Sequence, residues 1–158
     1  MWEPCSGLES FGELVWLPRL LQKARRSEES RSAGRDLMNG YLFGDNDFID
    51  RCLLRFLRID DTAVRGFARE HSDDSAAMRA ILQHSGRSEG ERAEFSRRLR
   101  RQFLNFCMLE ADEGRLQPAP LAALVRLLYN GLIVPPATLL YQWAERKRET
   151  PRSPRAHA

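Results

Sequence analysis

Several groups of ionisable residues have types and spacings that could do chemistry. Asp45, Asp47 and Asp50 resemble a fragment of a calcium loop. Such a loop also needs a mid-loop glycine and a closing glutamate, and Ile49 and Asp50 stand where the next ligand and that glycine belong. The carboxylates are therefore expected at a helix N-terminus, where the dipole favours them, with a weak metal site as the alternative. Arg92, Arg97, Arg98, Arg100 and Arg101 form the densest basic patch of the body. Glu94 stands at i, i+4 to Arg98, so a partly paired helix face is expected. Arg97, Arg98 and Arg101 remain candidate contacts for an anion or an acidic partner, a task that suits the guanidinium fork. Glu110, Asp112 and Glu113 crowd a helix C-terminus, where negative charge is disfavoured, and Arg115 or Arg126 are their expected partners. His71 and His84 fall near helix ends and His157 in the tail, none at a His-x-x-x-His spacing, and Cys5, Cys52 and Cys107 form no Cys-x-x-Cys pair. Neither a metal site nor a disulfide framework nor any cofactor is expected. A Gly-x-Ser-x-Gly elbow, a phosphate loop and a dinucleotide fingerprint are missing too, which removes support for acyl transfer, P-loop hydrolysis and Rossmann chemistry.

The elements that must position these groups read as helices. Ser10 with Glu13 has capping-box spacing and predicts a short turn ahead of Pro18. Pro18 suits the first turn of a helix in which Leu17, Leu20, Leu21 and Ala24 form one apolar stripe, with Arg19, Lys23 and Arg26 on the wet side. Polar Ser27 to Gly34 predicts the end of that helix or a loop. Asp45 or Asn46 then caps a helix through Arg58, Asp60 a third and Asp73 or Asp74 a fourth that Gly86 closes. Ser88 and Glu91 form a second capping-box pattern and open the longest helix, which runs to about Glu113 with Phe95, Leu99, Phe103, Phe106 and Leu109 on one face. Two further helices follow Pro120 and Pro136. The third and fourth helices have helix-turn-helix spacing, yet Asp73 and Asp74 at the second N-terminus would repel DNA phosphates. Runs of alternating β-branched residues are missing. The expectation is an all-α, compact, orthogonal or bundle-like domain of six to seven helices.

Trp-Leu-Pro-Arg-Leu-Leu-Gln-Lys-Ala-Arg (Trp16 to Arg25), Gly-Tyr-Leu-Phe-Gly (Gly40 to Gly44) and Phe-Ser-Arg-Arg-Leu-Arg-Arg-Gln (Phe95 to Gln102) resemble a bacterial family, domain of unknown function 5069. The resemblance covers about residues 15 to 110. It implies a helical bacterial protein and carries no activity, cofactor or catalytic residue.

Charge and hydropathy bound the rest. The chain has 158 residues and a formal net charge of +3, but from Glu145 onward five basic residues meet two acidic ones, so residues 1 to 144 are neutral. One helical domain over 1–144 and a basic, disordered tail over 145–158 are expected, the tail having almost nothing apolar to bury. Nucleic acid is then an improbable partner, bound weakly through that tail if at all. No apolar run reaches about 18 residues, so no membrane span is expected. The cysteine usage and the absence of a signal-peptide pattern point to the cytoplasm. The apolar arcs after Pro120 and Pro136 are wide for one core contact, and Leu127 and Trp143 are candidate anchors of an interface with a protein partner or a second copy. A non-catalytic interaction or scaffold module is the expected function. The alternative is a small-ligand-binding protein or enzyme whose site forms only in three dimensions, around residues such as Tyr41, Asp45, Glu110 and Arg98.

Overall fold

Phe11, Gly12, Glu13 and Leu14 make a tight turn, within the short turn that the Ser10 and Glu13 spacing predicts ahead of Pro18. Gly12 and Glu13 both have positive φ, +53° and +65°, the pattern that lets a two-residue turn match the twist of flanking strands. The result is a hairpin of β1 (Ser10–Phe11) and β2 (Leu14–Val15), with Ser10 opposite Val15 and Phe11 opposite Leu14. The computed structural model describes residues 2–101 and 103–136. Apart from the hairpin, the described residues form seven α-helices with short 3-10 and π turns, and the chain is all-α. Contacts divide it into two compact units, Met1–Phe106 and Cys107–Ala158, a division inside the stretch 1–144 read above as one domain.

In the first unit, Trp16 turns the chain through a left-handed conformation, φ +72°, into α1 (Leu17–Ala33), with Pro18 in its first turn. Leu17, Leu20, Leu21 and Ala24 are fully buried, as the apolar stripe requires. The helix does not stop at Ser27. It continues to Ala33 and closes on Gly34 at φ +61°. Ion pairs between Arg26 and Glu29, between Glu28 and Arg31, and from Arg65 to Glu28 support the polar last turns. Helix α2 (Phe48–Leu57) follows a 3-10 turn at Gly44–Asn46, and its cap is Asp47, one residue beyond the expected pair. Gly44 has φ +70°, and a Cβ there would lie 2.8 Å from the Asp61 Cβ, so no side chain fits. Asp60 and Asp73 cap α3 (Asp61–Glu70) and α4 (Asp74–Ser85), and Gly86 ends α4 in a left-handed conformation. Ser88 and Glu91 form the capping box of α5 (Glu89–Arg100).

Helix α1 packs on α3 and α4, and α5 on β2. Arg25 joins α1 to the turn between α3 and α4, donating to Ala68 O at 2.6 Å and His71 O at 2.7 Å and pairing with Asp74 at 2.6 Å. Ser96 joins α5 to the hairpin: its hydroxyl accepts from Val15 N at 3.0 Å and donates to Glu13 O at 2.7 Å. The long helix expected from Ser88 to Glu113 is two helices, α5 and then α6 (Phe103–Asp112). Arg97, Arg98, Arg100 and Arg101 gather in and just after the last turn of α5, where cations complement the exposed carbonyls. That is the composition of a helix end, which the sequence reading ran through.

In the second unit, α7 (Ala119–Leu128) begins after Pro118 and passes into a π turn at Tyr129–Ile133. Ala122 and Val125 are buried, whereas Leu121, Leu124, Leu127, Leu128 and Leu132 are exposed. The helical stretch Ala119–Pro136 spans 18 residues with a mean hydropathy of 1.3, so by length and composition it could cross a membrane. Trp143, the helix expected after Pro136 and the basic tail 145–158 lie outside the described residues.

Candidate functional site

The arginine face of α5 is where the sequence placed it, and it is partly neutralised. Arg97, Arg98 and Arg101 are all exposed. Glu94 takes both of the first two: Arg98 Nε donates to it at 2.9 Å and Arg97 pairs with its other oxygen. The Arg98 hydrogen bond is the main reason that the Glu94 carboxyl sits below the usual range, with the Arg97 and Arg98 charges adding to it. Two of the three candidate anion contacts are therefore engaged within their own helix. Arg98 also lines a cleft with Phe56 and Phe95, whose rings stack at 4.3 Å. Tyr41, which the enzyme alternative would have set beside it, lies instead against Trp2 and the Arg19 guanidinium.

Two of the three residues read as the wet side of α1 are buried, and the third, Arg26, is half-buried. Arg19 is 2% and Lys23 1% exposed. Lys23 Nζ lies 2.7 Å from Asp50 Oδ2 and 3.1 Å from Asp47 Oδ2. Asp50, with no exposed surface, also accepts from the Trp16 indole N–H at 2.7 Å and from Gly44 N at 3.1 Å. Arg19 donates to Cys5 O at 2.7 Å and lies over the Trp16 and Tyr41 rings, 5.0 and 5.4 Å from their centroids. A buried charge is tolerated only when paired and hydrogen-bonded, and these contacts supply the pairing. Burial pushes the Asp50 carboxyl above the ordinary range against the pull of Lys23, and it lowers Arg19. Arg19, Lys23 and Asp50 have almost no surface and Asp47 about a quarter of its own, and together they hold α1, the 40–47 loop and α2. Its sequence signal was the row Trp16, Arg19, Lys23 on one helix face beside a separate run of aspartates: opposite charges that can be buried jointly.

Asp47 is the cap of α2 and Asp50 lies in its first turn, so these carboxylates stand at a helix N-terminus as expected, with Lys23 as a partner that the sequence reading did not supply. Among the described residues, no group of three or more His, Cys, Asp and Glu converges as a metal site would require. His71 is the C-cap of α3, and His84, in the last turn of α4, makes an edge contact with Phe67 at 5.5 Å. In the second unit the acidic cluster has the partners named from sequence: Arg115 pairs with Glu110 at 3.1 Å and with Glu113, and Arg126 with Asp112 at 3.4 Å. Leu127 lies on the solvent side of α7, 71% exposed. No family model, no curated protein and no solved structure matches this chain.

Proposed function

We propose that the chain is a non-catalytic interaction module whose contact face is the leucine row of α7. The observation that carries this is the exposure of Leu121, Leu124, Leu127, Leu128 and Leu132 on one stretch of helix. Contiguous apolar surface of this kind marks interaction sites. The simplest partner is a second copy, since a row of leucines at i, i+3 and i+7 is self-complementary across a two-fold axis. The resemblance to domain of unknown function 5069 is compatible with this role and adds no activity to it.

Sedimentation velocity at micromolar concentration tests the reading. The expected result is a concentration-dependent dimer that Leu127→Arg converts to a monomer with an unchanged thermal transition. A monomer at every concentration, with no partner retained, would overturn it. Because Ala119–Pro136 could also meet lipid, co-sedimentation with neutral vesicles separates the two occupants: protein association without vesicle binding supports the proposal, and vesicle binding of the monomer replaces it with a membrane contact.

A further inference from the structure

Arg92 belongs by sequence to the α5 patch but does not share the Glu94 carboxylate that Arg97 and Arg98 use. It turns toward an open cleft of about 410 Å³ lined by Arg79, Leu82, Gln83, Gly86, Arg87 and Arg92. No lining residue is acidic. Arg92 Nε donates to Gly12 O at 2.7 Å and its Nη1 to Arg87 O at 2.6 Å. Both acceptors are backbone carbonyls, which fix the guanidinium plane without cancelling its charge, and among the described residues no carboxylate pairs with it. Arg87 is fixed in a similar way by Phe56 O at 2.8 Å and by the Phe56 ring, 4.9 Å from its guanidinium carbon, although Glu91 takes its Nη1 at 2.7 Å. Arg79 is exposed and only 3.8 Å from Asp73 at the closest. Three guanidiniums thus face one cleft against two carboxylates outside its lining, with the Gln83 amide beside them.

The hairpin turn completes the arrangement. Gly12, at φ +53°, would bring a Cβ within 2.6 Å of Leu82 Cδ1, so the turn rests on the cleft wall and aims its carbonyl at Arg92. The site is built from the hairpin, α4 and the start of α5, three segments that sequence gives no reason to join.

We propose that this cleft is an oxyanion site that takes the phosphate group of a small phosphorylated molecule. Several oxygens on one tetrahedral centre can accept from separate guanidiniums at once, which a single carboxylate does less well. The volume leaves room for more than the phosphate itself and lies within the range of small-molecule sites. Glu91 and the C-terminal end of α4 work against an anion, so the affinity for the bare ion is expected to be modest, on the order of 1 mM. The proposal is independent of α7.

Calorimetric titration of the full chain with inorganic phosphate and with pyrophosphate, at matched ionic strength, tests it. One saturable site is expected, tighter for pyrophosphate. Gln83→Glu and Arg79→Gln, both at exposed positions that leave the fold intact, are expected to weaken it about tenfold, and Arg100→Gln, on α5 outside the cleft, to leave it unchanged. Gly12→Ala should weaken binding with no change of charge, because it displaces the carbonyl that holds Arg92. Absence of saturation, or equal weakening by Arg100→Gln and Gln83→Glu, would overturn the proposal.

Discussion

Helices α1 and α7 dispose of their side chains in opposite ways. Helix α1 covers its leucines and also takes Arg19 and Lys23 out of water, whereas α7 leaves four leucines in solvent around a small buried contact at Ala122 and Val125. The difference follows from what lies opposite. The cationic side of α1 meets Asp47, Asp50, the Trp16 and Tyr41 rings and the Cys5 carbonyl, each matched to a cation at hydrogen-bonding or stacking distance. Among the described residues, the leucines of α7 are exposed. Amphipathicity names two faces, and the neighbours decide which of them is covered.

The largest expected effect tests the buried charges. Lys23→Met leaves Asp50 without its counter-charge, and such a break costs about 3–5 kcal/mol, read as a shift of the denaturant midpoint. Adding Asp50→Asn should cost less than the sum of the two single changes, because the orphaned charge is gone and the amide oxygen still accepts from one of the two donors, Trp16 and Gly44, that the carboxylate serves with separate oxygens. Strict additivity would show the pair uncoupled and undo the contrast. Next in size is the leucine comparison. Leu20→Ala in α1 should cost about 2–5 kcal/mol, while Leu127→Ala in α7 should stay within about 0.5 kcal/mol for the monomer. Equal losses would mean that α7 is covered in solution.

The smallest effect concerns an exposed carboxylate whose pKa moves opposite to that of buried Asp50. Glu91 accepts from Ser88 N, from Arg87 and from the Ser88 hydroxyl, which together bring its pKa down to about 2, with the backbone bond contributing most. A depressed folded pKa gives stability that is present above the ordinary value of 4.5 and is lost as the pH falls from there through about 2. Glu91→Gln should therefore lie below the parent in thermal stability at neutral pH and converge with it in acid. Parallel curves across that window would show that the capping box contributes no ionisation-linked stability.

What was legible in the sequence was local. Asp60, Asp73 and the Ser88 and Glu91 pair announce helix starts because a side chain caps backbone only three residues away, and Gly86 announces an end because its conformation is its own. The stripe from Leu17 to Ala24 was legible for the same reason, as was the pairing of Glu110, Asp112 and Glu113 with Arg115 and Arg126. What failed was non-local. Whether Lys23 is wet depends on Asp50, 27 positions away, and whether Arg92 belongs with Arg97 and Arg98 depends on the Gly12 carbonyl, 80 positions away. The Ser10 and Glu13 spacing marked a turn but not the hairpin, which depends on Gly12 and Glu13 both taking positive φ so that Ser10 can pair with Val15.

One carboxylate in the buried cluster has a consequence for the order of events when the chain folds. Asp47 uses Oδ1 to accept from Ile49 N and Asp50 N at the start of α2, and Oδ2 to meet Lys23. A helix as short as α2 is marginal in water, and its first turn is the unfavourable step. Here the group that organises that turn also closes the loop back to α1, so nucleation and long-range closure share a single anchor. The start of α2 and the contact between residues 23 and 47 thus rest on the two oxygens of one side chain, so that a change at Asp47 is felt both at the helix start and in the link to α1.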